Sequence, residues 1–295
     1  MLKRYIVKRY EYNPYTVPFY VEDLSGNGGT LTVNARKTNA ANIEYSTDGT
    51  AWSSTNPGIP ANGKLYMRAE ATYWGTSSWS AGASISVNNS YQVGGNLMSL
   101  FYGSGFTGDE RVFPSNTSWI CGYMFFRQDN LINADKLLLP AMTLTDYAYR
   151  SMFENCHYLL TLPELPALTM TTNCYVAFAM DCRALRKACE LPATTLASSC
   201  YRSMFERCNN LDTAPSILPA TAPIASNCYY MLFNNTKVTE VRLGATSWST
   251  NAAPNWLGNV PATGTVYINS ALDGVIPENS TSGIPSGWTK VILNQ

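Results

Sequence analysis

The chain has 295 residues, enough for two or three domains of about 100–200 residues each. Its 20 Lys and Arg balance 20 Asp and Glu, so no net charge marks it for nucleic acid or an anionic membrane. Only 14% of residues are charged, against about 25% in an ordinary globular chain, and no apolar run nears the ~18 residues of a membrane span.

Ser, Thr, Asn and Gly supply the polarity instead, a habit of extracellular and virion β-rich proteins. Residues 1–14 interleave bases and aromatics (Lys3, Arg4, Tyr5, Lys8, Arg9, Tyr10). The stretch is short and balanced by later acids, so it reads as a first strand or an attachment arm. It lacks the apolar run of about 7–15 residues that a secretion signal needs. The expectation is a protein that leaves its cell without a signal, as a phage structural protein does on lysis, or one whose signal has been removed.

Residues 15–95 read as β. Period-2 alternation marks strands at 29–33 (GTLTV), 42–46 (NIEYS), 64–71 (KLYMRAEA) and 83–87 (ASISV). Asp48-Gly49 lies between NIEYST and TAWSS, and that dipeptide favours a two-residue type I′ hairpin, in which both positions need φ > 0. Short strands at this spacing predict an N-terminal β-sandwich of immunoglobulin-like type, without the Cys…Trp…Cys of antibody domains, since no Cys precedes Cys121. Gly94-Gly95 ends the pattern.

From there to Leu243 the chain repeats. The Leu-Pro pairs at 139, 165, 191 and 218 step by 26, 26 and 27 residues. The copies LPAMTLTDYAYRSMFENCHYLLTLPE (139–164) and LPATTLASSCYRSMFERCNNLDTAPS (191–216) align without a gap. Residues 96–138 read as a degenerate first copy, with Phe125 and Leu131 in the places of Phe153 and Leu159. A period in the range of roughly 20–50 residues predicts units that bury their apolar face only by stacking. Each unit divides in two. Leu196, Cys200, Met204 and Cys208 step by four, which predicts one face of a helix. The other half (159–164, 185–190, 211–216, 238–243) is short and extended, and the Pro after each Leu disfavours helix there. The expected fold is thus α/β and β: the N-terminal β-sandwich (15–95), then a capped leucine-rich-repeat solenoid of parallel strand–helix repeats of about 26 residues (96–243). A C-terminal cap (244–295) follows, with a last helix at 247–257 carrying Trp248 and Trp256, and strands at 264–269 and 287–293.

The unit LPATTLASSCYRSMFERCNNLDTAPS resembles the BspA-like leucine-rich repeats of gut Bacteroidales surface proteins and of the phages that infect them. The IEYSTDGTAW hairpin before the array and SGIPSGW (282–288) after it resemble the same group. The resemblance spans about 35–290. It implies a cell-surface or virion adhesin-type binding role without catalysis, and names no ligand.

The residues themselves favour the same class. Six of the eight Cys fall into two columns, Cys174, Cys200, Cys228 and Cys156, Cys182, Cys208. Packed helices lie about 8–10 Å apart, too far for disulfides, whose Cα atoms approach within about 7 Å. No C-x-x-C pair exists, so zinc spacing is missing and no metal is expected. The Cys columns read as small buried residues filling the stack. His157 is the only His, and its neighbour Cys156 already belongs to a column, so it reads as an exposed loop residue rather than the base of a nucleophile pair. With no paired-acid motif and no cofactor loop either, neither an enzyme nor a cofactor is expected. The column Tyr149, Tyr175, Tyr201, Tyr229 reads as packing between repeats, with each hydroxyl near the surface. Positions between the buried columns of the extended half vary from copy to copy, which fits a concave binding face or an unconstrained solvated one. The candidate ligand-binding residues are Arg186, Lys187, Glu190, Asp212, Thr213, Thr239, Glu240 and Arg242. The expected protein is a non-enzymatic phage-tail or receptor-binding component, or a bacterial surface adhesin; a purely structural virion protein is the alternative. Its expected partners are a protein or glycan on a bacterial surface and other virion subunits, with an oligomer compatible, and neither nucleic acid nor membrane insertion is expected.

Overall fold

The computed structural model describes residues 13–77, 80, 82–219 and 224–293. All but the end of the expected N-terminal arm lies outside the described residues. The described strands are β1 (Tyr20–Asp23), β2 (Leu31–Val33), β3 (Ala41–Ser46), β4 (Lys64–Glu70), β5 (Ile85–Val87), β6 (Tyr91–Asn96), β7 (Leu131–Leu138), β8 (Glu240–Arg242), β9 (Gly264–Asn269) and β10 (Trp288–Leu293). Among the described residues the only α-helix is α1, the single turn Ser99–Tyr102.

The expected strand–helix leucine-rich-repeat solenoid is therefore overturned: the described residues are mostly strand and turn, with three small sheets. The reason lies in the backbone of the segments read as helices. From Tyr147 to Cys156 each amide donates, but in alternation. Ala148, Arg150, Met152, Glu154 and Cys156 donate three residues back, to Thr145, Tyr147, Tyr149, Ser151 and Phe153. Tyr147, Tyr149, Ser151, Phe153 and Asn155 donate across to Thr172, Cys174, Val176, Phe178 and Met180 of the next repeat. No i→i−4 bond is made. The chain runs as consecutive β-turns, and every fourth residue is left-handed: Tyr147, Ser151, Asn155, then Asn173, Ala177, Asp181, then Ser199, Ser203, Arg207. The backbone amides are thus satisfied half within each segment and half by the neighbouring repeat. The segment at 247–257 is likewise turn, not helix.

Inside the stack the apolar columns meet. Phe125 lies on Phe153 (5.4 Å, 9° between planes), Tyr149 on Tyr175 (5.5 Å, 13°), Tyr175 on Tyr201 (6.0 Å, 15°) and Phe205 on Phe233 (5.8 Å, 6°). Each ring pair adds about 0.5–1.5 kcal/mol beyond the area it buries. The four Tyr of the column are buried to their tips, against the expectation of surface hydroxyls, and the Tyr149 and Tyr229 hydroxyls have no partner. Cys156, Cys182 and Cys208 point their thiols at the carbonyls of Phe125, Phe153 and Ala179 in the repeat before (3.0, 3.1 and 3.1 Å).

The N-terminal strands build a five-stranded sheet in the order β3-β4-β1-β6-β7 and a two-stranded sheet, β2-β5. β6 pairs antiparallel with β1 and parallel with β7, which belongs to the first repeat. The boundary expected between residues 95 and 96 falls inside this strand, and one continuous core runs from Phe19 to Trp288. Gly94-Gly95, read as a break, is the middle of β6. A side chain at Gly94 would meet the Tyr20 ring, and Gly95 (φ 75°) lies against the Pro18 carbonyl. The expected two-residue hairpin is also corrected. Tyr45 and Ser53 exchange both backbone bonds across a longer loop, Gly49 has φ 77° but Asp48 is not left-handed, and β3 takes β4 as its strand partner. At the C-terminal end β8, β9 and β10 form a parallel three-stranded sheet. Trp256 is buried and donates to the Gly283 carbonyl, while half-buried Trp248 donates to that of Ser282.

Candidate functional site

The extended halves of the repeats pair sparingly. Leu160 donates to Ile132, and Thr161 bridges Asn133. Two repeats later Asp212 and Thr213 donate to Arg186, and Ala188 donates to Thr213. Between these pairs the ladder lapses: among the described residues no backbone hydrogen bond joins 160–166 to 187–192. A groove of about 550 Å³ opens there. Leu160, Leu162, Pro163 and Leu165 form one wall and Ala188, Cys189 and Pro192 the other, with Asp135, Glu164, Lys187 and Glu190 as charged neighbours. Pro163 stands in this stretch, at the position that Cys189 fills in the next repeat, where the ladder holds. A smaller hollow of about 270 Å³ opens beside the equivalent Pro215, lined by Asp212, Thr213, Ser216, Glu240 and Arg242.

The sequence candidates divide accordingly. Lys187 and Glu190 line the groove. Asp212, Thr213, Glu240 and Arg242 line the hollow. Arg186 and Thr239 are exposed and line neither. Several are already engaged. Glu190 accepts from the Ser216 amide (2.9 Å) and hydroxyl (2.6 Å), Asp212 accepts from the Thr213 hydroxyl (2.8 Å), and Arg242 pairs with Glu240 (2.9 Å) while lying 3.9 Å above the Tyr267 ring. Lys187 keeps an exposed ammonium at the groove. The groove's apolar wall was missed because Leu160 and Leu162 look like ordinary strand residues; the signal available was Pro163, at a position that the next repeat fills with Cys189 and that Pro215 fills again beside the smaller hollow.

His157 is not the plain loop residue expected. Its Nδ1 lies 2.8 Å from Asp129 and its Nε2 3.5 Å from Asp181. The Asp181 carboxylate is buried and takes a two-pronged bond from Arg183 (3.0 and 3.1 Å), with Arg207 at 3.6 Å. Burial pushes its pKa up, but the Arg183 hydrogen bond and the charges of Arg183, Arg207 and His157 outweigh this and hold it below the usual range. No nucleophile faces His157 in this network, which is one of ion pairs across repeats. The eight Cys carry free thiols. Because the repeats sit closer than packed helices, Cys200 and Cys228 bring their sulfurs to 3.1 Å, and burial raises the Cys200 thiol well above its usual pKa. Among the described residues no His, Cys, Asp and Glu cluster could hold a metal ion, and no helix is long and apolar enough to cross a membrane.

Comparison of the chain with protein-family models, with curated proteins and with solved structures gives no match.

Proposed function

We propose that this is a non-enzymatic binding protein, a phage-tail or cell-surface adhesin component, that takes an extended polypeptide segment of a bacterial surface protein into the groove at 160–166 and 187–192. The carrying observation is the lapse in the inter-repeat ladder. Among the described residues it leaves the two extended segments without a backbone hydrogen bond to each other, on either side of a partly apolar groove. An extended peptide uses backbone groups for affinity and the side-chain pockets between them for selectivity. Lys187 and Glu164 supply opposite charges that would fix the direction of the bound segment. The repeats stack on one core, so the two walls are held apart without a ligand, which lowers the ordering cost of binding.

The test is binding of the intact chain to bacterial cell surfaces, before and after protease or periodate treatment of the cells. Protease should abolish binding and periodate should not. Leu162→Arg, at a half-buried wall position, should abolish it while the thermal transition is kept. Loss to periodate alone would make the ligand a glycan, and full binding by Leu162→Arg would remove the groove from the function.

A further inference from the structure

A second depression lies on the turn-ladder side of the stack, with a volume of about 410 Å³ and no residue in common with the groove. It arises from one repeat being smaller than its neighbours. Val176 and Ala177 occupy the ladder positions that hold Arg150 and Ser151 in the repeat before and Arg202 and Ser203 in the repeat after. At about 4.8 Å per laddered step, the backbones carrying Arg150 and Arg202 stand roughly 10 Å apart, one on each side of the dip. Arg127, from the first repeat, also lines it.

These three guanidiniums differ from the other cations nearby. Arg183 and Arg207 are held by Asp181, whereas Arg127, Arg150 and Arg202 form no ion pair among the described residues. Each is braced on an aromatic ring instead: Arg127 over Phe126 (4.8 Å), Arg150 over Trp119 (4.9 Å) and Tyr147 (5.6 Å), Arg202 over Tyr230 (4.4 Å). A ring fixes the plane of a guanidinium and leaves its N–H edges free to donate. The Nε of Arg150 is buried without a partner. Asn173, Ser203, Val176 and Met180 also line it, a mixture of hydrogen-bonding and apolar groups suited to a sugar ring. The lining holds one carboxylate, Glu154, whose pKa burial raises against the opposing charges of Arg150, Arg127 and Arg207. The volume falls in the range of about 300–1,000 Å³ of small-molecule sites and exceeds what a lone oxyanion fills.

We propose that this trough binds an acidic sugar, its carboxylate held between Arg150 and Arg202 and its ring lying over Val176 and Ala177. Paired N–H donors on a planar guanidinium match a carboxylate, and two braced guanidiniums pay little ordering entropy on engaging it. Attraction among exposed charges of this kind weakens as salt rises.

Calorimetric titration of the intact chain with sodium glucuronate, glucose and sodium sulfate at low ionic strength tests this. Glucuronate should bind, glucose should not, and added salt should weaken the binding. Arg150→Gln with Arg202→Gln should weaken it by about tenfold or more, the loss expected for charged hydrogen bonds. Arg202→Gln alone, at an exposed position, guards against misfolding of the double variant and should itself weaken binding. Glu154→Gln, which removes the competing carboxylate, should strengthen it. Equal binding of glucose, binding of sulfate without glucuronate, or an unchanged affinity in Arg202→Gln would each overturn the proposal, as would no binding at all. None of these outcomes bears on the groove, whose ligand is tested on cells.

Discussion

Two tyrosines in the buried column carry hydroxyls with nothing to bond, and removing those hydroxyls should stabilise the protein. Tyr149 and Tyr229 are both fully buried, and neither hydroxyl has a hydrogen-bond partner. An unpartnered buried hydroxyl costs roughly 1–3 kcal/mol. Phe keeps the ring, so the 5.5 Å stack of Tyr149 on Tyr175 survives and no cavity opens. Tyr149→Phe should therefore gain about 1–3 kcal/mol by release from that cost. With unfolding entropy near 2.1 cal/mol/K per residue, a chain of 295 residues has about 0.6 kcal/mol/K, so Tm should rise by about 2–5 °C. Tyr229→Phe should behave alike, and the double variant should approach the sum, since two repeats separate the sites. The assay is calorimetric unfolding at one fixed pH and protein concentration. A fall in Tm for Tyr149→Phe would refute the reasoning, because it would mean that the hydroxyl is bonded, for instance by buried water.

Deleting residues 165–190 should leave a protein that still unfolds cooperatively at reduced Tm, because Ser198 can accept in place of Thr172 from Tyr147; a chain with no cooperative transition would show the repeats are not interchangeable. Gly94→Ala should destabilise by about 1–3 kcal/mol through overpacking against the Tyr20 ring, read as a lower midpoint in denaturant. Asp181→Asn should cost about 1.5–3 kcal/mol at neutral pH, the value of a charged hydrogen bond. The folded pKa of Asp181 is depressed, so its contribution is complete above the unfolded value of about 3.9 and is lost as pH falls through the folded one. The variant's stability should consequently fall less steeply than the parent's below pH ~4, and parallel acid limbs would contradict this.

What the sequence made legible was the period and the burial. The Leu-Pro steps marked the repeats, and the columns of Phe153, Tyr175 and Cys208 are all in the core. Most of the alternating segments in the N-terminal part are strands at or near the expected positions. The turn ladder was misread because its period is close to that of a helix. Leu196, Cys200, Met204 and Cys208 step strictly by four, whereas a helical stripe mixes threes and fours. A strict four matches a left-handed residue recurring at every fourth position. Asn at 155, 173 and 227 hinted at this, since Asn tolerates that conformation, but Tyr147, Ser151 and Ala177 in the same register hid it. The arginine trough was illegible for another reason. Arg150 and Arg202 are 52 residues apart in the chain and face one site only because two ladder steps bring them together.

The strand shared by the N-terminal sheet and the first repeat bears on how the protein can be cut. Five registered pairs, from Tyr91↔Leu131 to Asn96↔Leu138, tie β6 to β7. A fragment beginning at residue 96 would lose nearly all of β6 and bare one edge of β7, an eight-residue strand with an apolar face. Unprotected edges of that length recruit other chains. Such a fragment would tend to aggregate, and its failure to bind would say nothing of where the ligand sits. Truncations that respect the shared strand must begin before Tyr20, so that β1 still covers β6. The practical unit of this protein, for expression or for grafting its surfaces elsewhere, is the sheet and the repeats together.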